Sequence, residues 1–520
     1  MMPVQNTDDE GSLVDFSSHL ASVQISNHQP DERGRIGQFF TSPSVAHFMA
    51  NMFDISKKEI RILDPGAGTG VLTAALCEKI LLNSQVQRIH IDVFENDVTV
   101  IPFLEQTMIK CKERFTSRGI EASYTIIQRD FVIETSSTNN IDWQTHRFPT
   151  IEYDFIISNP PYYKIHKKKG RIISSDQIVA SQPNVYTVFM VLSLRLLSPE
   201  GQMVFITPRS YCSGLYYRKF REWFLSKAEI NWIHIFESRK QVFDKEKVLQ
   251  ENVIIKVSKL TTQKDYDVHI SVSKDKNLAT LQTFQLPSSK IIYRQNGDVF
   301  IRIPSSKEEL RAIEIIDHWT SNLHSMGFEI STGPVVDFRT DHLCGTVDGR
   351  RKAVPLLWMN SIRNGRVHWI NESGKKPQAI EDRAETSSFL LPMQNYVIIK
   401  RFTSKEQIRR LDAGVLLKGD LPFDKIGLEN HLNYIYRVGG ELTIEDAFGI
   451  ATLLNSKIVD YFFRSLNGNT QVNATEIRAM PFPPLELIRT IGKETLSNQA
   501  GSGLSPDEIL EQVLEISGDD

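Results

Sequence analysis

Short apolar runs alternate with longer amphipathic stretches from Ile60 to about Val257. IRILD (Ile60 to Asp64), IHIDVFE (Ile89 to Glu95), YTIIQRD (Tyr124 to Asp130), YDFIISN (Tyr153 to Asn159), GQMVFIT (Gly201 to Thr207), INWIHIF (Ile230 to Phe236) and NVIIKVS (Asn252 to Ser258) have the length and residue types of strands. Between several of them lie helix-length segments such as VLTAALCEKILL (Val71 to Leu82) and VYTVFMVLSLRLL (Val185 to Leu197). Strands alternating with helices predict an α/β fold with a mostly parallel sheet of seven strands. The last two strands lack an intervening helix, which predicts a hairpin with one antiparallel strand.

Beyond residue 260 the texture changes. A polar, irregular stretch (Thr261 to Ser289) leads into sequence rich in Gly, Pro and scattered aromatics up to Pro484. The pattern therefore predicts an acidic flexible N-terminus at 1–30, a first domain over 31–260, a linker or hinge over 261–330, a C-terminal α+β domain over 331–490, and an acidic C-terminal tail at 491–520. That organisation suits a chain of 520 residues, which is long enough for two or three domains.

Charge changes the picture only once it is divided. The net charge is −3, yet residues 1–30 carry Asp8, Asp9, Glu10 and Asp15 with no Lys or Arg. Residues 501–520 carry Asp507, Glu508, Glu511, Glu515, Asp519 and Asp520, again with no base, so 31–500 stands at +7. A mildly basic body is compatible with a polyanionic partner. The first residues are polar and uncharged by Lys or Arg, unlike a secretory signal, and no stretch reaches the apolar length of a membrane span. Cys77, Cys111, Cys212 and Cys344 are too scattered for a disulfide framework or a zinc site. A reduced, cytoplasmic protein with no metal is expected.

Two motifs carry chemistry. Asp64-Pro65-Gly66-Ala67-Gly68-Thr69-Gly70 follows one strand and precedes a helix. Gly66, Gly68 and Gly70 let the backbone approach a ligand, and the helix start offers unpaired N–H groups. No Lys follows Gly70, so the loop is not a phosphate-binding P-loop. Glu95, ending the second strand, stands where a carboxylate can accept from ribose hydroxyls. Asp130-Phe131, ending the third, offers an acceptor for an adenine amine and a ring to stack on it. A dinucleotide and S-adenosylmethionine both fit such a site, although the glycine spacing is one residue short of the usual dinucleotide form.

The second motif, Asn159-Pro160-Pro161-Tyr162, ends the fourth strand. The lone pair of an aryl amine is delocalised into its ring, which makes the nitrogen a poor nucleophile. The side-chain carbonyl of Asn159 and the backbone carbonyl of Pro160 could accept its N–H hydrogens and favour a tetrahedral nitrogen. Proline stiffens the turn, and Tyr162 offers a face for a base.

With these motifs the chain resembles the adenine-specific DNA methyltransferases of restriction–modification systems, over roughly 35–260. Gly37-Gln38-Phe39-Phe40-Thr41-Ser42-Pro43 resembles the segment that precedes the cofactor loop in their gamma group, with Ser42 inserted between Thr and Pro. The resemblance implies a class I S-adenosylmethionine-dependent methyltransferase fold with a C-terminal target-recognition domain. It implies S-adenosylmethionine as methyl donor, S-adenosylhomocysteine as product, and Phe39, Thr41, Asp64, Gly66, Gly68, Gly70, Glu95, Asp130 and Phe131 around the cofactor. Asn159, Pro160, Pro161 and Tyr162 would be catalytic. Phe243, in Val242-Phe243-Asp244, would supply a second ring against a flipped adenine, or is equally an ordinary core residue.

Double-stranded DNA is then the implied partner. Lys167, Lys168 and Lys169 follow the catalytic turn and would contact phosphate, or form a solvated loop. Residues 331–440 hold 17 Lys plus Arg against 12 Asp plus Glu. There Arg350-Arg351-Lys352, Lys400-Arg401 and Arg409-Arg410 interleave with Trp358, Trp369, Tyr396 and Phe402, a mixture that suits nucleic acid. The implied role is host DNA protection beside a separately encoded restriction endonuclease, with no stable complex between the two. Rival readings are a methyltransferase for RNA adenine or a protein glutamine amide, and, from another class, a non-catalytic DNA-binding specificity subunit. Intact motifs at Asp64–Gly70 and Asn159–Tyr162 argue against the last.

Overall fold

In the computed structural model, residues 11–26, 41–137, 151–163, 184–236, 251–261, 265–274, 278, 281–295, 297–345, 347, 352–369, 376–403, 407–468, 471–499 and 503–514 are described. The chain divides into two compact units, Met1–Tyr293 with Val299–Ile303, and Arg294–Asp298 with Pro304–Asp520.

All seven expected strands form: β1 (Glu59–Asp64), β2 (Arg88–Phe94), β3 (Glu121–Ile127), β4 (Tyr153–Ser158), β5 (Leu197–Pro208), β6 (Ala228–Phe236) and β7 (Asn252–Lys259). Their order in the sheet is β3-β2-β1-β4-β5-β7-β6. β1 to β5 pair in parallel, whereas β7 runs antiparallel between β5 and β6. The expected hairpin is therefore present. This order reverses direction between β1 and β4, and in open α/β sheets ligands bind at the carboxyl ends of strands at such a switch point.

The central strands are apolar on both faces because helices cover both. On one side lie α2 (Pro43–Asn51), α3 (Val71–Leu81) and α4 (Ile101–Ser117), which bury Met49, Leu76, Cys77, Ile80, Leu104, Met108 and Phe115 over Ile62, Ile91 and Ile157. On the other, α6 (Val185–Leu196) buries Tyr186, Phe189, Met190 and Leu194 over Leu63, Ile156 and Met203. A short α5 (Phe131–Ser137) precedes it.

Three expectations are corrected. Residues 261–330 do not form a linker, since β8 (Asp267–Ser273) and β9 (Leu281–Pro287) extend the first sheet to nine strands. Alternating Val268, Ile270 and Val272 give β8 a buried face, with polar residues between them. Residues 307–316 are a helix of the second unit. The acidic N-terminus is likewise not merely a tail: α1 (Leu13–Ser26) buries Leu13, Val14 and Ser17. Glu78 of α3 accepts from the Ser12 hydroxyl at 2.9 Å, Lys110 of α4 lies over the Phe16 ring, and the Thr69 hydroxyl donates to Ser17 O.

The second unit contains a six-stranded and a five-stranded sheet, with helices toward its C-terminal end. Within the stretch expected as tail, residues 491–499 belong to helix Leu485–Gln499, and Pro506–Leu514 forms a further helix. Helix Leu485–Gln499 lies on helix Ile444–Leu454, so close that a Cβ at Gly449 would stand 1.9 Å from Ile488 O. At the same contact a Cβ at Gly492 would stand 2.0 Å from Glu445 O.

Candidate active site

The glycine loop leaves β1 at Asp64 and enters α3 at Val71. Gly68 and Gly70 take φ of +55° and +88°, in the left-handed region that other residues adopt at a cost. At Gly70 a Cβ would also stand 2.9 Å from Thr107 Cγ2, so both backbone and packing demand glycine. At Gly68 nothing lies within 4 Å of a Cβ, which leaves open space against the loop. The loop also carries two buried carboxylates, Asp64 at its start and Glu95 bonded to the Gly68 N–H, a donor set that fits a ligand with a cationic amine and hydroxyl donors.

Asp64 is fully buried, accepts from the Thr73 hydroxyl at 2.8 Å, and receives the Gly66 N–H at 3.4 Å. Burial pushes its pKa up to about 7; the Thr73 and Gly66 bonds oppose this, while nearby Glu95 adds to it. Glu95 is also buried and raised by desolvation. Its Oε2 accepts the Gly68 N–H at 2.9 Å, and its Oε1 accepts those of Asn96 and Asp97 at 2.8 and 2.9 Å. Glu95 thus staples the glycine loop to the end of β2.

Asp130 caps α5, its Oδ1 accepting from Val132 N at 3.0 Å and Ile133 N at 3.1 Å. Phe131 is buried, with ring centroids 5.2 Å from Phe94 and 5.1 Å from Phe189. It stands in an aromatic wall at the ends of β2 and β3.

At the end of β4 the turn Asn159–Tyr162 is held through its amide. Asn159 Nδ2 donates to Thr41 Oγ1 at 3.2 Å, and Asn159 Oδ1 accepts from the Tyr162 hydroxyl at 2.9 Å. The same hydroxyl lies 3.2 Å from Ile206 O on β5. Pro160 is buried and Pro161 half-buried; neither can donate a backbone hydrogen, and their fixed φ stiffens the turn. Burial drives the Tyr162 pKa up, so the phenol stays protonated and remains a donor. Its ring meets Tyr186 edge-on with centroids 6.2 Å apart.

Phe39, Lys167, Lys168, Lys169, Phe243, Arg350 and Arg351 lie outside the described residues. In the second unit the basic–aromatic mixture is partly core. Trp358 is 2% exposed, Tyr396 1% and Arg410 0%. Arg410 donates from Nε to Thr403 Oγ1 at 3.2 Å, and Asp460 accepts its backbone N–H at 2.5 Å. Arg409 pairs with Asp507, and Lys400 with Asp412. Trp358 and Tyr396 serve the core, and Arg410, Arg409 and Lys400 are held by bonds within the protein, which the linear alternation of charge and ring does not reveal. Arg401 donates to Asn430 O at 2.9 Å, lies over the Phe402 ring and stays half-exposed.

The structure also brings in residues that the sequence did not single out. Asn184, Tyr186 and Tyr217 form a hydrogen-bonded cluster, with the two tyrosine hydroxyls 2.8 Å apart. A buried pair, Arg209–Glu251 at 3.4 Å, joins the end of β5 to the start of β7. Neither had a sequence signal, since their partners lie 31 and 42 residues apart. Among the described residues, no cluster of His, Cys, Asp and Glu could hold a metal ion, and no helix is long and apolar enough to cross a membrane.

Residues 81–243 match the family described as Eco57I restriction-modification methylase. The type II methyltransferase M.BsuBI of Bacillus subtilis is 35% identical over 490 residues, covering 93% of this chain and 94% of its own. The type II methyltransferase M.PstI of Providencia stuartii is 32% identical over 499 residues, covering 95% and 96%. A looser likeness in shape, at 14% identity and a TM-score of 0.43, is to the type IIG restriction endonuclease BpuSI, over 94% of this chain and 63% of that one.

Proposed function

The chain belongs to the type II restriction–modification methyltransferases, and on that premise we propose that it methylates the exocyclic N6 amine of adenine in double-stranded DNA. One observation carries the choice of an aryl amine. Asn159 is fixed at the switch point of the sheet by Thr41 and Tyr162, with its amide oxygen on the Tyr162 side. An amide oxygen has two lone pairs, so a bond from Tyr162 is compatible with a second from a substrate N–H. Together with the carbonyl of Pro160 it can draw the amine toward a tetrahedral geometry.

S-adenosylmethionine, when bound, supplies a methyl already activated by a positive sulfur, so the protein's task is to position the nucleophile. Asp64 would meet the methionine ammonium, Glu95 one ribose hydroxyl and Asp130 the adenine amine, with Phe131 in the aromatic wall beside them. An adenine within a duplex cannot reach Asn159 without leaving the stack, which supports base extrusion with Tyr162 as stacking partner. Lys167 to Lys169, Arg350, Arg351 and Arg401 are the candidates for phosphate contacts, and the second unit is the candidate reader of sequence. The role that follows is protection of host DNA against a separately encoded endonuclease.

The test is transfer from labelled S-adenosylmethionine to plasmid DNA, followed by digestion to nucleosides and mass spectrometry. N6-methyldeoxyadenosine is expected. N4-methyldeoxycytidine, or label confined to RNA or protein, would overturn the assignment.

A further inference from the structure

A short turn, Leu215–Tyr217, follows β5 on the carboxyl side of the sheet, and its first two residues face water: Leu215 is 55% exposed and Tyr216 82%. The turn beneath them is fixed. Arg221, 1% exposed, donates from Nη1 to Tyr211 O at 3.0 Å and Gly214 O at 2.7 Å, and from Nε to Val299 O. Gly214 admits no side chain, because a Cβ there would lie 2.8 Å from Ser210 O. Tyr217 is drawn inward, its hydroxyl bonded to Tyr186 and Asn184. Tyr186 in turn touches Tyr162 edge-on, so one contact chain runs from the exposed pair to the catalytic turn.

We propose that Leu215 and Tyr216 form a rigid apolar wedge that enters the base stack of duplex DNA beside the target base. This inference rests on the duplex-DNA reading above. A core role is excluded by exposure. A protein partner is disfavoured by size, since a stable interface takes about 800 Å² from each side, whereas one or two apolar side chains are enough to wedge a base step apart. Lys219, exposed and close in sequence, suits a flanking phosphate, beside Arg218, which is exposed and paired with Glu222 at 3.0 Å. Rigidity matters because a wedge that bends on contact cannot hold a step open, and the Arg221 clamp and Tyr217 anchor supply it. Filling the gap left by the extruded base offsets part of the lost stacking.

Methylation-sensitive long-read sequencing of plasmid methylated by the full-length enzyme first locates its site. Initial rates are then measured on a duplex carrying that site and on the same duplex with an abasic position opposite the target base. Leu215→Ala/Tyr216→Ala should lose roughly tenfold or more on the intact duplex, the scale of one lost stacking contact, and recover most of it on the abasic duplex. S-adenosylmethionine affinity should be unchanged. Leu215→Met/Tyr216→Phe, which keeps the apolar bulk, should stay near wild type. Equal rates for wild type and the alanine variant on intact duplex overturn the wedge alone, as does an equal loss on both duplexes. Absence of DNA methylation by wild type overturns the underlying reading instead.

Discussion

Thr41 Oγ1 receives the Nδ2 hydrogen of Asn159 at 3.2 Å, across 118 residues of sequence. An asparagine amide has a donor end and an acceptor end, and only the acceptor end can help an amine to react. Thr41 holds the donor end, and Tyr162 marks the acceptor end. Thr41→Val should therefore lower kcat about 5-fold to 10-fold, the scale of one hydrogen bond worth about 1 kcal/mol. Thr41→Ser should restore it. S-adenosylmethionine affinity, measured by calorimetry, should stay near wild type in both. A weakened affinity that accounts for the whole loss would return Thr41 to the cofactor-covering role expected from the sequence.

Asn159→Ala should abolish methyl transfer, because it removes the side-chain carbonyl that would accept a hydrogen of the reacting amine. Stability should change little: Tyr162 keeps Ile206 O as acceptor, and Pro160 and Pro161 still fix the turn. Thermal unfolding beside an activity assay separates the two effects. Substantial transfer by a folded variant would sink the catalytic assignment.

Burial pushes the Asp64 carboxyl up to about 7, which should make cofactor binding pH-dependent if Asp64 meets the methionine ammonium. An acid that is raised on folding binds its proton more tightly in the native state, so its contribution to stability falls as pH rises from about 4 to 7. An incoming ammonium needs the ionised form, so affinity should rise with pH, roughly tenfold per unit at most below pH 7, and level off above it. Calorimetry in two buffers of different ionisation enthalpy should detect proton release near pH 7. Asp64→Asn should remove that release, and its persistence would exclude Asp64 as the source.

Glu95→Ala should weaken S-adenosylmethionine binding and also lower the melting temperature. Three backbone N–H groups lose their acceptor, which costs about 1–3 kcal/mol when such donors stay buried. Unchanged affinity with reduced stability would assign Glu95 to the loop staple alone.

Gly449→Ala tests the packing of the second unit. Inside an exposed helix the change would stabilise by about 1 kcal/mol. Here the added methyl would meet Ile488 O at 1.9 Å, and overpacking of this kind typically costs about 1–3 kcal/mol. A net loss in urea unfolding of the full chain is expected; a gain would mean that the two helices separate easily.

Much of the first unit was legible in the sequence because its signals are local. A short apolar run rich in β-branched and aromatic residues and bounded by turn residues favours a strand, glycines at 66, 68 and 70 announce a loop, and two prolines after Asn159 announce a stiff turn. These gave seven strands, their helices, the antiparallel hairpin and the positions of Asp64, Glu95 and Asn159 at strand ends, whereas Asp130 lies beyond β3 and caps α5. Tertiary structure decided what depends on partners distant in sequence. It made α1 a packed helix, because Leu13 and Val14 find α3 and α4, and it drew β8 and β9 onto the sheet where polar composition suggested a linker. It buried Trp358, Tyr396 and Arg410, whose side chains look the same in a list whether they face DNA or a core. It also set the amide of Asn159 by joining it to Thr41. Local sequence dictates backbone propensity and turn chemistry, whereas burial and hydrogen-bond partners are properties of the assembled chain.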